Sequence, residues 1–256
     1  MSVNGDFYRF DSGELVQITH ALSDSLSVAD SFLVQDGQTV ALDRHFARFS
    51  ASVQALEKLE LNGFFDAVQR QIPKTGDFFP RLEYRNTQPE GQRLYLRMRP
   101  APERTSTLTL WSSTEPDTRE NPLVKGPDLS LCQQLRRTAN LHGADEAVLL
   151  SEDGFIADGA LSSIVWLSEG TLFAPDESTR WLPSITRSIV LELANQAGLN
   201  IELARAKPVD LSGCEVWSLS ALQGIRGVTS WQGVDIKQPL LHSAFRKRLA
   251  LLRAPI

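Results

Sequence analysis

The sequence holds only two cysteines, two methionines and four histidines in 256 residues. Cys132 and Cys214 stand far apart, so they form neither a disulfide framework nor a metal-ligand pair. Cys132 falls inside a helical pattern and reads as a small core residue. No apolar run approaches the roughly 18–20 residues of a membrane span. The opening "MSVNGDFYRFDSGELV" lacks the basic-then-apolar order of a secretion signal. Nor is there a basic surplus: 26 Lys and Arg against 31 Asp and Glu give a net charge of −5. A broad nucleic-acid-binding face needs the opposite balance. The sequence has no internal repeat and no low-complexity segment. No GxGxxG follows a strand and no GxxxxGK[ST] is present, so the usual nucleotide fingerprints are missing. These absences leave an acidic, cytoplasmic chain of enzyme size, with no metal site and no nucleic-acid or membrane partner.

What is there alternates strands and helices. "ELVQITH" and "DSFLVQDGQTVAL" have strand-like alternation, with Asp-Gly as a hairpin signal. "DRHFARFSASVQALEKL" keeps Phe46, Phe49, Val53, Leu56 and Leu59 at helical spacing, with Asp43 as its N-cap. Three strands follow in "FFPRLEYRN", "QRLYLRMRP" and "STLTLWSS". "TEPDTRENPLVKGPD" is rich in proline and charge and reads as an interdomain linker. "LSLCQQLRRTANLHG" is a helix closed by Gly143. Residues 144–175 read as three strands, "LPSITRSIVLELANQAGL" as a helix with Pro183 and Ser184 at its start, and "CEVWSLSALQGIRGVTSW" as further strands. A final amphipathic helix starts near Leu241. Strands in meanders, rather than strict strand–helix alternation, predict an α+β protein with two lobes, divided as 1–117 and 118–256.

Four features can carry chemistry. The start of the helix at "LPSITR" leaves backbone N–H groups at the positive end of the helix dipole, which suits an anion such as phosphate. The plainer reading is a well-capped helix. Asp158, followed by Gly159, Ala160, Ser162 and Ser163, is a carboxylate among small residues; the plainer reading is a turn aspartate. His45 and Arg48 lie three apart on one helix face, where Arg48 could reach an anion or simply meet solvent. Lys125, between Pro122 and Gly126–Pro127, is either a linker lysine in water or a desolvated amine with a depressed pKa, fit to act as a nucleophile. A lysine, a carboxylate, a helix start and an arginine together are what a pyridoxal phosphate site needs.

At this point the sequence resembles the fold-type IV pyridoxal phosphate enzymes, which comprise the class IV aminotransferases and 4-amino-4-deoxychorismate lyase. The resemblance runs from about Val28 to Val228 through "DGQTVALDRHFARF", "GADEAVLLSEDGFIADGALSSIVWL", "LPSITR" and "SLSALQGIRGV", in the family's order. It implies a two-lobed fold like that of D-amino acid aminotransferase, with a small N-terminal lobe and a larger C-terminal lobe built on a β-barrel-like sheet. It implies that Lys125 binds the cofactor covalently and carries protons, and that Asp158 is the partner of the pyridine nitrogen. Arg48, Ile185, Thr186, Ser220 and Ala221 would hold the phosphate. Asp30 and Ser31 would lie on the substrate side. The sequence departs from the family's pattern at several places. Asp128 and Leu129 stand where Asn-Tyr is usual, Asp158 where Glu is usual, and Ser163 where Asn is usual. The resemblance also implies a homodimer, with exposed strands of the first lobe as the contact surface.

An aminotransferase acting on an amino acid and a 2-oxo acid is the first functional expectation, and the lyase, releasing pyruvate and 4-aminobenzoate, is the alternative. The spacing from Lys125 to "ADEA" resembles the lyases. A non-catalytic cofactor-binding relative is a third reading. Arg97 and Arg99, two apart on a strand, share one face and could clamp a substrate carboxylate; they could equally be solvated charges. Arg226 is a further candidate for the same role.

Overall fold

The computed structural model describes residues 5–19 and 25–256. They form two compact units that interleave along the chain. The first takes the described residues up to Glu103, then Val124–Pro127 and Leu252–Ile256; the second takes Arg104–Leu123 and Asp128–Leu251. The division expected at residue 117 thus falls inside a segment of the second unit.

The chain begins with a hairpin of β1 (Asp6–Asp11) and β2 (Glu14–Ile18). Here β2 is the expected strand "ELVQITH", whose His20 lies outside the described residues. Next come β3 (Val28–Ser31), β4 (Val34–Gln35) and β5 (Gln38–Val40). Asp36 and Gly37 join the last two with φ of 47° and 71°, the backbone that an Asp-Gly hairpin turn favours. The helices α1 (Leu42–Gln54) and α2 (Asn62–Gln71) follow, then β6 (Asp77–Phe78), β7 (Arg81–Tyr84) and β8 (Leu94–Met98). A five-stranded antiparallel sheet runs β2-β1-β8-β7-β3. One of its faces packs Val28, Leu82, Tyr84 and Leu96 against Phe49, Val53, Phe64 and Val68 of the two helices.

Two expectations change here. Asp43 is not the N-cap of α1; Ala41 takes that place at φ 52°, without a side-chain cap, and Asp43 lies in the first turn. The chain leaves β5 at Val40 and must reverse within one residue, so the cap position falls ahead of the aspartate. The helix also ends at Gln54, which leaves Leu56 54% exposed. The sequence reading omitted α2, although Phe64, Ala67 and Val68 bury one face at helical spacing.

The second unit opens with β9 (Thr107–Ser112) and α3 (Leu129–Leu141), after which Gly143 turns the chain at φ 76°. Residues 144–175 hold four strands rather than three: β10 (Glu146–Leu150), β11 (Ile156–Gly159), β12 (Ser163–Ser168) and β13 (Thr171–Pro175). The extra break is a tight turn in which Gly159 N–H donates to the Ser162 carbonyl at 2.8 Å. Then come α4 (Ile185–Gln196), β14 (Asn200–Ala204), β15 (Glu215–Ser220), β16 (Gly224–Trp231) and α5 (His242–Ala250). An eight-stranded sheet runs β11-β10-β9-β16-β15-β12-β13-β14. Its first strand, β11, also packs beside β12 and β13, so the sheet curls toward a barrel. Leu108, Val148, Ile164, Val216 and Val228 share its core. Finally β17 (Arg253–Pro255) returns to the first unit and pairs with β5. The α+β class expected from the sequence is the class observed. No helix among the described residues is long and apolar enough to cross a membrane.

Candidate active site

Lys125 belongs to the first unit, although the residues on both sides of Val124–Pro127 belong to the second. Its carbonyl accepts the Ala29 N–H of β3 at 2.6 Å. Gly126 follows with φ 145°, and a Cβ there would stand 2.9 Å from the Val28 Cα. Only glycine allows this approach. The proline-flanked segment is therefore pinned by its backbone to β3, with Lys125 half-buried. It is no loose linker.

On the core face of the same strand, Asp30 is fully enclosed. His45 Nδ1 lies 2.7 Å from its Oδ1, and Arg48 donates from Nε to Oδ2 at 2.8 Å and from a terminal nitrogen to Oδ1 at 2.9 Å. The shared helix face of His45 and Arg48 is thus real, and its partner is a buried carboxylate. Burial opposes the charge of Asp30, but His45 and Arg48 outweigh it and hold the carboxyl at about 2.

The opposite face of the first sheet is polar. Ser31 pairs with Arg81, Arg81 with Arg97, and Glu83 with Tyr95, so these residues share a side. Glu83, fully buried, accepts from Arg81 Nε at 2.7 Å and from Arg85 Nε at 3.0 Å. Arg97 lies over the Phe7 ring. Arg99 lies over the Phe79 ring and reaches the Ser31 hydroxyl at 3.3 Å. Burial, then the charges of Arg81 and Arg97, pushes Arg99 down to about 9. Arg97 is lowered as well, by burial and then by Arg81.

In the second unit, Asp158 lies on β11, almost wholly buried. Its Oδ2 accepts the Leu182 N–H at 3.0 Å, and Oδ1 accepts that of Gly159 at 3.2 Å. Arg119 stands 3.6 Å from Oδ2. Burial pushes the carboxyl up to about 6 despite Arg119, the Leu182 amide, Arg187 and the Ser163 hydroxyl. The small residues after Asp158 serve the turn, since a Cβ at Gly159 would come within 2.8 Å of the Ser162 carbonyl oxygen. Three residues beyond Leu182, α4 begins. The Ser184 hydroxyl caps it by accepting from Arg187 N–H, and Ile185 and Thr186 form its buried first turn. Ser220 and Gly224 pair across a tight turn that contains Ala221, and the Ser220 hydroxyl accepts from Gln223 N–H at 3.1 Å.

The structure thus gathers Lys125, Arg48, Asp30, Ser31, Arg97 and Arg99 in the first unit, and Asp158, Ile185, Thr186, Ser220 and Ala221 in the second. The sequence reading missed Arg81, Glu83 and Arg85, although their i, i+2, i+4 spacing in "RLEYR" marks one strand face. It also missed Arg119 and Glu146. Glu146 is buried on β10, where it accepts from the Ala147 and Leu161 amides, and burial pushes it up to about 7 against the pull of Arg226. Arg226, on β16, interacts electrostatically with Glu146. Asp128, at the start of α3, accepts the Glu120 and Asn121 N–H groups at 3.2 and 2.7 Å.

Residues 27–231 match the family model described as amino-transferase class IV. A probable branched-chain-amino-acid aminotransferase of Rickettsia felis is 24% identical over 226 residues, which cover 80% of this chain and 77% of that protein. A hypothetical aminotransferase from Mycobacterium tuberculosis, solved in its PLP-bound form, superposes with a TM-score of 0.83 at 18% identity, covering 96% of this chain and 98% of its own. An aminotransferase from Brucella abortus, solved bound to PLP, gives 0.80 at 18% identity, again covering 96% and 98%. The fold is that of the class IV aminotransferases, and by the match over residues 27–231 the chain belongs to that family.

Proposed function

We propose that the protein is a pyridoxal phosphate-dependent aminotransferase that moves an amino group between an amino acid and a 2-oxo acid. The observation that carries this reading is the bond from Leu182 N–H to Asp158 Oδ2. It fixes a buried carboxylate against the segment that runs into the first turn of α4. A carboxylate for a ring nitrogen and amides for a phosphate are thereby built as one piece. The residues fit the cofactor on this ground. Asp158 would face its ring nitrogen, and Ile185, Thr186, Ser220 and Ala221 its phosphate. Arg48, oriented by Asp30, supplies positive charge, and Lys125 supplies the amine that holds the cofactor.

Bound there, the cofactor supplies an electron-accepting ring. The chain's own tasks are then few. Lys125 Nζ carries the proton taken from the substrate's α-carbon. Asp158, as a carboxylate, accepts the N–H of the ring. The face bearing Arg81, Arg85, Arg97 and Arg99 crowds guanidinium groups around the buried Glu83, and burial with neighbouring positive charge lowers Arg97 and Arg99, so an anion is favoured there. We assign that face, with Ser31, to the substrate carboxylate. Asp30, enclosed by His45 and Arg48, serves Arg48 instead. The reading includes a cytoplasmic homodimer.

The test is direct. Purified protein incubated with pyridoxal phosphate is expected to gain a visible absorption band, which Lys125→Ala abolishes. Amino donors with 2-oxoglutarate or pyruvate are expected to exchange amino groups. Pyruvate released from aminodeoxychorismate without amino transfer would instead establish the lyase, which the Lys125-to-"ADEA" spacing resembles. A protein that takes up no cofactor would overturn both readings.

A further inference from the structure

We infer that Arg119 is a positioning residue for Asp158, aimed by Asp117 and Asp128 so that Asp158 stays a carboxylate. The inference rests on the proposed role of Asp158 toward the cofactor's ring nitrogen.

Arg119 lies in a stretch without regular structure and is only 5% exposed. Four sets of bonds hold it. Asp117 grips the guanidinium from both carboxylate oxygens, at 3.0 and 3.2 Å to Nε and 2.9 Å to a terminal nitrogen. Asp117 also accepts the Arg119 backbone N–H, and its own N–H donates to the Leu150 carbonyl at the end of β10. Arg119 donates to the Arg180 carbonyl while Arg180 donates to the Arg119 carbonyl, each at 2.5 Å. Asp128 accepts the next two backbone N–H groups.

These bonds converge on one carboxyl. Arg180 is two residues before Leu182, whose N–H donates to Asp158. The same side chain that brings a cation to 3.6 Å from Oδ2 therefore also ties down the segment that donates to that oxygen. At that separation the guanidinium balances charge without filling the acceptor sites a ring N–H would need. The other groups facing Asp158 are the Ser163 hydroxyl of β12, Arg187 of α4 and the Gly159 amide; the neighbouring strand β10 presents Leu149. Arg187 is already engaged, lying 3.7 Å over the Trp181 ring and donating to the Pro175 carbonyl. Burial penalises a charged Asp158, and a protonated Asp158 cannot accept a ring N–H. Burial also works against the charge of Arg119, but the Asp117 bond and Asp158 outweigh it and raise its pKa. It therefore stays charged where Asp158 needs it. Asp128, standing where the resembled family has Asn, has a physical role in this scheme.

The test uses the full chain, with and without pyridoxal phosphate. The titration of Asp158 in the apoprotein is followed by carboxyl NMR and identified by its loss in Asp158→Asn. In the loaded protein, pyridoxal phosphate affinity and the visible spectrum are followed against pH. Arg119→Gln is expected to raise the Asp158 titration by about one pH unit or more, and to weaken cofactor binding about tenfold on the acidic side. Arg119→Lys is expected to recover most of both effects, which a purely structural role would not require. Should Arg119→Gln fail to fold, Arg119→Lys compared with Asp117→Asn carries the test, since the second leaves the cation but loosens its aim. An Asp158 titration unmoved in Arg119→Gln or, should that variant not fold, in Asp117→Asn, would overturn the inference. Unchanged cofactor binding in Asp158→Asn would overturn the reading beneath it. That failure is told apart because the apoprotein titration would still shift in Arg119→Gln.

Discussion

Asp30 and Glu146 are both enclosed carboxylates, yet their neighbours send them in opposite directions. Asp30 has His45 and Arg48 at hydrogen-bond distance and is held at about 2, below its ordinary 3.8. Glu146 has two backbone amides and only the more distant Arg226 and Arg136, so burial wins and lifts it from 4.5 to about 7. The sign of each effect on stability follows. Asp30 contributes stability above its unfolded pKa and loses it as pH falls from about 4 toward 2. Glu146 keeps a proton in the folded state that the unfolded chain sheds, so stability falls as pH rises from about 4.5 to about 7. Urea unfolding between pH 4 and 8 is expected to show that decline in the native protein and a shallower one in Glu146→Gln. An identical slope in both would sink the assignment. Asp30→Asn removes the buried carboxylate that His45 and Arg48 hold and is expected to cost about 3 kcal/mol at pH 7. Sequence alone shows that His45 and Arg48 share a face. It does not show what they hold, because Asp30 is brought to them by a strand-to-helix reversal at Ala41.

Local periodicity exposed most of the elements: the Asp-Gly hairpin, the paired strands of "RLEYRN" and "LYLRMRP", the helix ending at Gly143 and the capped start of α4. The misses have a common cause. Where a tight turn rather than a polar run breaks a strand, as at Gly159–Ser162, the apolar pattern continues and two strands read as one. The prolines and charges around Lys125 resemble those of a linker. The order of that segment comes instead from side chains far away in sequence and from the backbone of β3. Gly126→Ala tests that at the level of the element. It forces a side chain into φ 145° and within 2.9 Å of Val28 Cα, so β3 or the segment must move. The expected result is a lower melting temperature and faster loss of bound cofactor during gel filtration. Asp158 should titrate as in the native protein. Unaltered cofactor retention would mean that the contact with β3 does not position Lys125.

At the scale of the molecule, the two units draw on the chain in turn. Val124–Pro127 and Leu252–Ile256 both return to the first unit after long excursions through the second. Composition gives no hint of this, since short returning segments carry no periodicity long enough to register. Tryptophan and tyrosine nonetheless divide cleanly between the units. Trp111, Trp166, Trp181, Trp217 and Trp231 all lie in the second, and Tyr8, Tyr84 and Tyr95 all in the first. Tryptophan fluorescence excited at its red edge therefore reports one unit, and the tyrosine near-ultraviolet signal reports the other. Removing residues 252–256 deletes β17 from its pairing with β5, removes Ile256 from the edge of the first core, and ends the bond from Lys74 Nζ to the Ile256 carbonyl. None of these contacts belongs to the second unit. The truncated protein is expected to lose its tyrosine signal several degrees before its tryptophan signal, as a destabilisation of about 1–2 kcal/mol in a domain of this size would give. Both signals falling together at a lowered temperature would mean that the units unfold as one cooperative body, and that the return of the chain into the first unit ties their stabilities together.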